Sequence, residues 1–127
     1  MVEEIKEDRI VIRPDEEQPD EYEKIPEGTP LEMVKAAGVV GMGGAGFPTG
    51  IKLDAHLDHG YILINAAECE PGLYHNIRQI EQQSDKIVRG VKYCMDIAGA
   101  DKAIFAIKKK NEKAIDALRT AIKDEKA

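Results

Sequence analysis

The sequence predicts an α/β chain: a partial Rossmann-like parallel sheet with flanking helices and a Gly-rich loop. Three observations carry this. Two apolar runs, Tyr61-Ile62-Leu63-Ile64 and Lys102-Ala103-Ile104-Phe105-Ala106-Ile107, have the length and composition of strands, the first suited to a buried parallel position. Between them a long helical region runs from about residue 74 to 98, with apolar residues at helical spacing in its second half. Ahead of both stand five glycines within ten residues, Gly41-Met42-Gly43-Gly44-Ala45-Gly46-Phe47-Pro48-Thr49-Gly50.

Taken in order, residues 9–13 read as a short strand closed by Pro14. Residues 15–28 are acidic, contain proline and hold few apolar side chains, which makes them a solvated connector. Thr29-Pro30-Leu31-Glu32 is a capping box with proline at the first helical position. The helix it opens carries Leu31, Val34 and Lys35 to Ala37 and stops at Gly38, and Val39-Val40 feed the glycine loop. After the Tyr61 strand, Asn65 to Gly72 form a loop. The long helix that follows is expected to break near Ser84, with Ile87, Val91, Cys94, Met95 and Ala98 on the apolar face of its second half and Gly99 at its end. A basic turn, Lys108-Lys109-Lys110, leads to Asn111, which caps a last helix whose apolar face is Ala114, Ile115, Leu118, Ala121 and Ile122. Strand, helix, strand, helix implies parallel pairing with a right-handed crossover. Two such strands are fewer than a doubly wound sheet needs. Residues 1–28 therefore read as a strand and connector, and 29–127 as the N-terminal half of a larger α/β domain.

The bulk numbers narrow the partners. The 127 residues are 43% hydrophobic and 33% charged, an ordinary balance for a soluble chain. With no Trp and two Phe, the core must be aliphatic. A net charge of −6 with no basic stripe argues against nucleic acid. No apolar run reaches the ~20 residues that span a bilayer. The N-terminus lacks a signal peptide's basic start and apolar middle, and Cys69 and Cys94 make no disulfide framework, so the expected compartment is the cytoplasm.

So many glycines carry an entropic cost that needs a reason. Without side chains, successive N–H groups can converge on an anion, although a tightly turning loop would use the same composition. No Gly-Lys-Ser/Thr closes it as in a Walker loop, and it does not stand between a first strand and a helix as the dinucleotide fingerprint does. Lys52 either adds charge to a bound phosphate or is solvated; the same pair of readings applies to Lys108-Lys109-Lys110. Glu68-Cys69-Glu70 with His75 offers metal-binding atoms at a spacing that fits no structural zinc pattern. His56 and His59 read as surface residues, Cys94 and Met95 as core, and Tyr74 and Tyr93 as helix-packing residues. No nucleophile with a base and orienter is visible.

Two motifs, 41–52 (Gly-Met-Gly-Gly-Ala-Gly-Phe-Pro-Thr-Gly-Ile-Lys) and 64–71 (Ile-Asn-Ala-Ala-Glu-Cys-Glu-Pro), resemble in order, spacing and length those of the flavin-binding, NADH-oxidising subunit of respiratory complex I and its RnfC relatives. The likeness is greatest to PrdC, the RnfC-like electron-transfer proteins associated with D-proline reductase, where it extends to Ile10-Val11-Ile12, Glu17-Gln18-Pro19, Ile87-Val88-Arg89-Gly90 and Ala106-Ile107-Lys108. The resemblance implies a domain that binds FMN, takes hydride from NADH and passes electrons singly to iron–sulfur centres. It implies Gly41, Gly43, Gly44 and Gly46 against FMN, Lys52 near the flavin phosphate or ribityl oxygens, and Asn65, Glu68 and Cys69 facing the flavin. Glu70 matches the carboxylate near the nicotinamide and is the catalytic candidate; Phe47 matches an aromatic beside the dinucleotide. Cys69 is then better read as part of a flavin loop than as a metal ligand.

Several positions depart from complex I. Met42 replaces an arginine, Ala67 an aspartate, Leu53 and Ala55 aromatics that hold the adenine, and Lys108-Lys109-Lys110 follow the second strand where a Gly-Glu pair is usual. No CxxC is present, so no iron–sulfur cluster is expected on this chain. Two readings follow. The chain is an FMN-binding, NADH-linked electron-transfer domain or fragment feeding D-proline reductase or a similar reductase, inactive in isolation and completed by a protein partner or the remaining segments of the carrier. Alternatively it is a non-catalytic nucleotide-binding or assembly module that kept the fold without the cofactor.

Overall fold

The computed structural model describes residues 2–6, 9–14, 16–17, 21–41, 45–68 and 72–125. Its centre is a parallel pair, β3 (Gly60–Asn65) beside β4 (Ala100–Ala106), with Leu63 opposite Ile104 and Asn65 opposite Ala106. Helix α3 (His75–Ala98) connects the two strands, and α4 (Glu112–Asp124) packs against it. The buried core lies here: Ala66, Ile77, Ile80, Val88, Ala114, Leu118 and Ala121, with Ile87, Phe105, Ile107 and Ile122 packed against it. It is aliphatic, as the shortage of aromatics requires. Of the apolar face expected of α4, Ala114, Leu118, Ala121 and Ile122 meet this core, and Ile115 lies outside it.

Burial along β3 alternates, so the expectation of a buried strand holds on one face only. Ile62 and Ile64 are partly covered, whereas Tyr61 and Leu63 are 62% and 67% exposed, and Ile104 of β4 is half exposed beside them. A two-stranded layer with helices on one side leaves its other side bare among the described residues. The apolar run in the sequence marks a strand built for two covered faces, of which one is filled here.

The break within α3 and its C-terminal end follow local chemistry. Gln83 leaves helical geometry (φ −138°, ψ 32°), which puts the break one residue before Ser84. Gly99 closes the helix in the left-handed region at φ 74°, and its N–H donates to the Met95 carbonyl. The Ala98 carbonyl accepts from the Leu57 N–H at 2.7 Å, so the approach to β3 is fastened to the point from which β4 departs. Cys94 is half-buried on the helix face, and burial pushes its thiol pKa up, as suits a packing residue. Tyr93 is exposed instead of packed. Asn111 occupies the N-cap position of α4, but its side chain makes no capping bond.

The N-terminal strands form a sheet of their own. A strand not anticipated in the sequence, β1 (Val2–Lys6), pairs antiparallel with β2 (Arg9–Ile12). Its acidic Val-Glu-Glu-Ile-Lys has no extended apolar alternation, so pairing across the hairpin supplies what local pattern did not. Residues 21–28 are exposed and without regular structure. Helix α1 (Pro30–Ala36) then starts on the expected box: the Thr29 N–H donates to Glu32 Oε2 at 2.8 Å, and the Glu32 N–H donates to Thr29 Oγ1 at 3.3 Å.

The Thr29 N–H first, and second its hydroxyl, which donates to the same Glu32 Oε2 at 2.8 Å, hold the Glu32 carboxyl below its ordinary value of 4.5. A depressed carboxyl contributes stability above the unfolded value and loses it as pH falls through the folded one. Thr29→Val is expected to move the Glu32 midpoint part of the way back up, since the backbone donor remains. Carboxyl NMR titration reads this directly, and an unmoved midpoint would refute the box.

Candidate functional site

The glycine loop is closed at its base. Val40 bridges antiparallel to Pro48, the Thr49 N–H donates to the Val39 carbonyl at 2.8 Å, and the Gly41 N–H donates to the Phe47 carbonyl at 3.0 Å. Gly46 takes φ 66°, so the chain reverses there. The loop runs straight into a short helix, α2 (Thr49–Leu53), which the residue pattern does not separate from the loop. Helix α2 seats against α1 through Gly50, where an added Cβ would come within 2.5 Å of Lys35 Cγ and 3.3 Å of its Cα. The Lys35 ammonium reaches Asp54 at 2.7 Å, and that bond, more than the added charge of His56, lowers the Asp54 pKa. Lys52 extends over Phe47, with Nζ 5.8 Å from the ring centroid. Phe47 and Lys52 are thus held together at the loop's foot.

A second cluster lies at the carboxyl ends of β3 and β4. A cleft of about 470 Å3 is lined by residues 64–68, by Asn76, Gln79, Ile80 and Ile87 of α3, and by Phe105. That volume falls within the ~300–1,000 Å3 usual for small-molecule sites. Crevices beyond the carboxyl ends of parallel strands are where α/β sheets bind ligands. Asn65 Oδ1 accepts from the Ala67 N–H at 3.1 Å, a local turn that re-aims the chain as it leaves the strand. Ala66 donates to the Ala106 carbonyl at 2.9 Å and continues the strand pairing past Asn65.

Glu68 has a distinct position. Its carboxylate accepts from the Asn76 backbone N–H at 3.1 Å and from Asn76 Nδ2 at 3.0 Å, and its carbonyl accepts from Lys108 Nζ. Helix α3 has no capping bond from its own N-cap residue, Tyr74. The first N–H groups of a helix lack internal partners and favour negative charge, so Glu68 does from outside what a cap would do locally.

The structure thus brings Asn65 and Glu68 into one cleft, and Gly41, Gly46, Phe47 and Lys52 into the glycine loop; none of the latter four lines the cleft. Gly43, Gly44, Cys69 and Glu70 lie outside the described residues, so the candidate metal group of Glu68, Cys69, Glu70 and His75 does too. Among the described residues, no group of three or more His, Cys, Asp or Glu could hold a metal ion, and no helix is long and apolar enough to cross a membrane. His56 and His59 are exposed, paired with Asp54 at 3.0 Å and Asp101 at 2.8 Å. The sequence did not single out Asn76 or Gln79 at all. They stand in the first turns of α3, where no residue pattern sets them apart.

The cleft lining combines apolar and polar side chains, as a site for a flavin ring requires. A ring needs apolar walls, which Ile64, Ile80, Ile87 and Phe105 provide, with the small side chains of Ala66 and Ala67 beside them. The loop base leaves room at Gly41, where an added Cβ would meet only ordinary contacts, at 3.7 Å and beyond.

Comparison with known proteins agrees. The Nuo51 FMN-binding domain family matches residues 34–127. Cobalamin reductase PduS of Salmonella typhimurium is 48% identical over 93 residues, 73% of this chain and 20% of its own length. A component of the proton-translocating ferredoxin:NAD(+) oxidoreductase complex of Clostridium ljungdahlii is 40% identical over 100 residues, 76% of this chain and 21% of its own. A component of the ion-translocating oxidoreductase complex of Vibrio cholerae is 38% identical over 124 residues, 91% of this chain and 16% of its own. The chain spans about a fifth of the length of such relatives. It belongs to the Nuo51 FMN-binding domain family, in the branch that includes the RnfC-like proteins.

Proposed function

We propose that the chain binds FMN in a flavin-linked electron-transfer protein that draws hydride from NADH in the cytoplasm. The observation that carries the reading is the cleft at the carboxyl ends of β3 and β4, in a chain whose residues 34–127 match an FMN-binding domain. When bound, FMN would supply two-electron uptake and one-electron release. The chain's own residues bind and orient. Gly41, Gly43, Gly44 and Gly46 lie against the nucleotide and Lys52 serves its phosphate or ribityl oxygens. Asn65, Glu68 and Cys69 face the flavin, Phe47 packs beside the dinucleotide, and Glu70 stands near the nicotinamide. The resemblance that extends through Ile87-Val88-Arg89-Gly90 and Ala106-Ile107-Lys108 supports D-proline reductase or a similar reductase as the destination. The likeness to a cobalamin reductase supports a corrinoid as a second class of acceptor. The electrons leave through a partner or further segments that hold the clusters, since the sequence has no CxxC.

Titrating the chain with FMN is expected to give saturable fluorescence quenching, lost in Gly44→Glu, which adds bulk and negative charge to the loop. Absence of quenching by the unaltered chain would leave the assembly-module reading in its place. Adding NADH anaerobically then separates an oxidoreductase site, in which the bound flavin bleaches, from a cofactor platform, in which it does not.

A further inference from the structure

Three ties converge on the loop that leaves β3. Ala66 is bonded to Ala106 at the strand ends, the Glu68 carboxylate takes both amide groups of Asn76, and the Glu68 carbonyl takes the ammonium of Lys108, forty positions further along the chain. A carbonyl and a carboxylate of one residue are thus held by two different elements, the turn after β4 and the first turn of α3. A loop residue fixed at both its backbone and its side chain has little freedom to turn. Lys108 is exposed and does not line the cleft, so its described bond serves the loop and not the cavity.

We propose that Lys108 is a positioning residue for the flavin cleft: by clasping Glu68 against the start of α3 it fixes the 65–68 segment in the shape that receives the isoalloxazine ring. The proposal rests on the flavin-binding reading and adds to it a residue that the nucleotide does not touch. Its ammonium holds a backbone oxygen of the loop and, through Glu68, keeps the otherwise partnerless N–H of Asn76 bonded. Arginine can make the same donation, methionine cannot, and Lys109, one position on, serves as a control of equal charge.

The experiment measures FMN and riboflavin affinities by fluorescence quenching in Lys108→Met, Lys108→Arg and Lys109→Met, with exchange of the Asn76 backbone amide followed by NMR in the ligand-free chains. Loss of one charge-assisted hydrogen bond that orders a loop is expected to weaken both ligands about tenfold in Lys108→Met. Lys108→Arg should restore most of the affinity, and Lys109→Met should leave it unchanged. Asn76 should lose exchange protection in Lys108→Met alone. A loss confined to FMN, with riboflavin unaffected, would overturn the proposal in favour of direct contact with the phosphate. Unchanged affinity for both ligands overturns it while leaving flavin binding intact. If the unaltered chain binds neither ligand, the flavin reading fails and this role for Lys108 fails with it; the Asn76 amide then reports only whether the clasp exists as a structural tie.

Discussion

Gly99→Ala is expected to lower the unfolding free energy by about 2–4 kcal/mol, combining the cost of a side chain in left-handed backbone with that of overpacking. Gly99 has φ 74°, and an added Cβ would come within 2.5 Å of the Leu57 carbonyl oxygen. That oxygen belongs to backbone held in place by the Leu57–Ala98 bond, so it cannot swing aside as a side-chain tip would. Relief requires parting the approach to β3 from the end of α3. Gly90 is the internal control. It lies within α3 with nothing within 4 Å of an added Cβ, so Gly90→Ala should stabilise by up to ~1 kcal/mol through helix propensity. Urea unfolding of both variants decides the matter, and equal effects would show that the junction is not packed as described.

Leu118→Ala should cost about 2–5 kcal/mol, the range for emptying a buried leucine site. Leu118 is 4% exposed at the centre of the α3–α4 contact, between Ala114 and Ala121 on the same helix face. The alanines on either side of it along the helix are too small to fill the gap. Against a typical total of about 5–15 kcal/mol for a domain, the loss removes a large share. Arg119→Ala, at an exposed neighbouring position, should fall within about 0.5 kcal/mol of the unaltered chain. A midpoint for Leu118→Ala close to that of Arg119→Ala would mean that α4 does not dock through this face.

What could be read from the residues was whatever local chemistry decides. Thr29-Pro30-Leu31-Glu32 dictates its own helix start, Gly99 its helix stop, and the spacing of Ala114, Leu118 and Ala121 the buried side of α4. The parallel pairing of β3 and β4 followed from element order and the length of the crossover. What escaped depends on distant contacts. β1 exists because β2 lies beside it, and α2 is too short for a periodic pattern. Tyr61 and Leu63 carry a buried strand's composition whatever covers them, so exposure could not be inferred from identity. Within the site, Asn65 and Glu68 were marked by motif, but the pairing of Glu68 with Asn76 and Lys108 joins residues 8 and 40 apart and leaves no pattern along the chain.

The departure from helical geometry at Gln83 bears on how such a cleft can be entered. Asn76, Gln79 and Ile80, which line it, precede the break; Ile87, which also lines it, follows it. An interrupted ladder of backbone bonds bends more easily than a continuous one. The long helix therefore carries its joint within the cleft wall, between Ile80 and Ile87: a guest that presses there can flex the helix, but it pushes directly on side chains that also hold the chain folded.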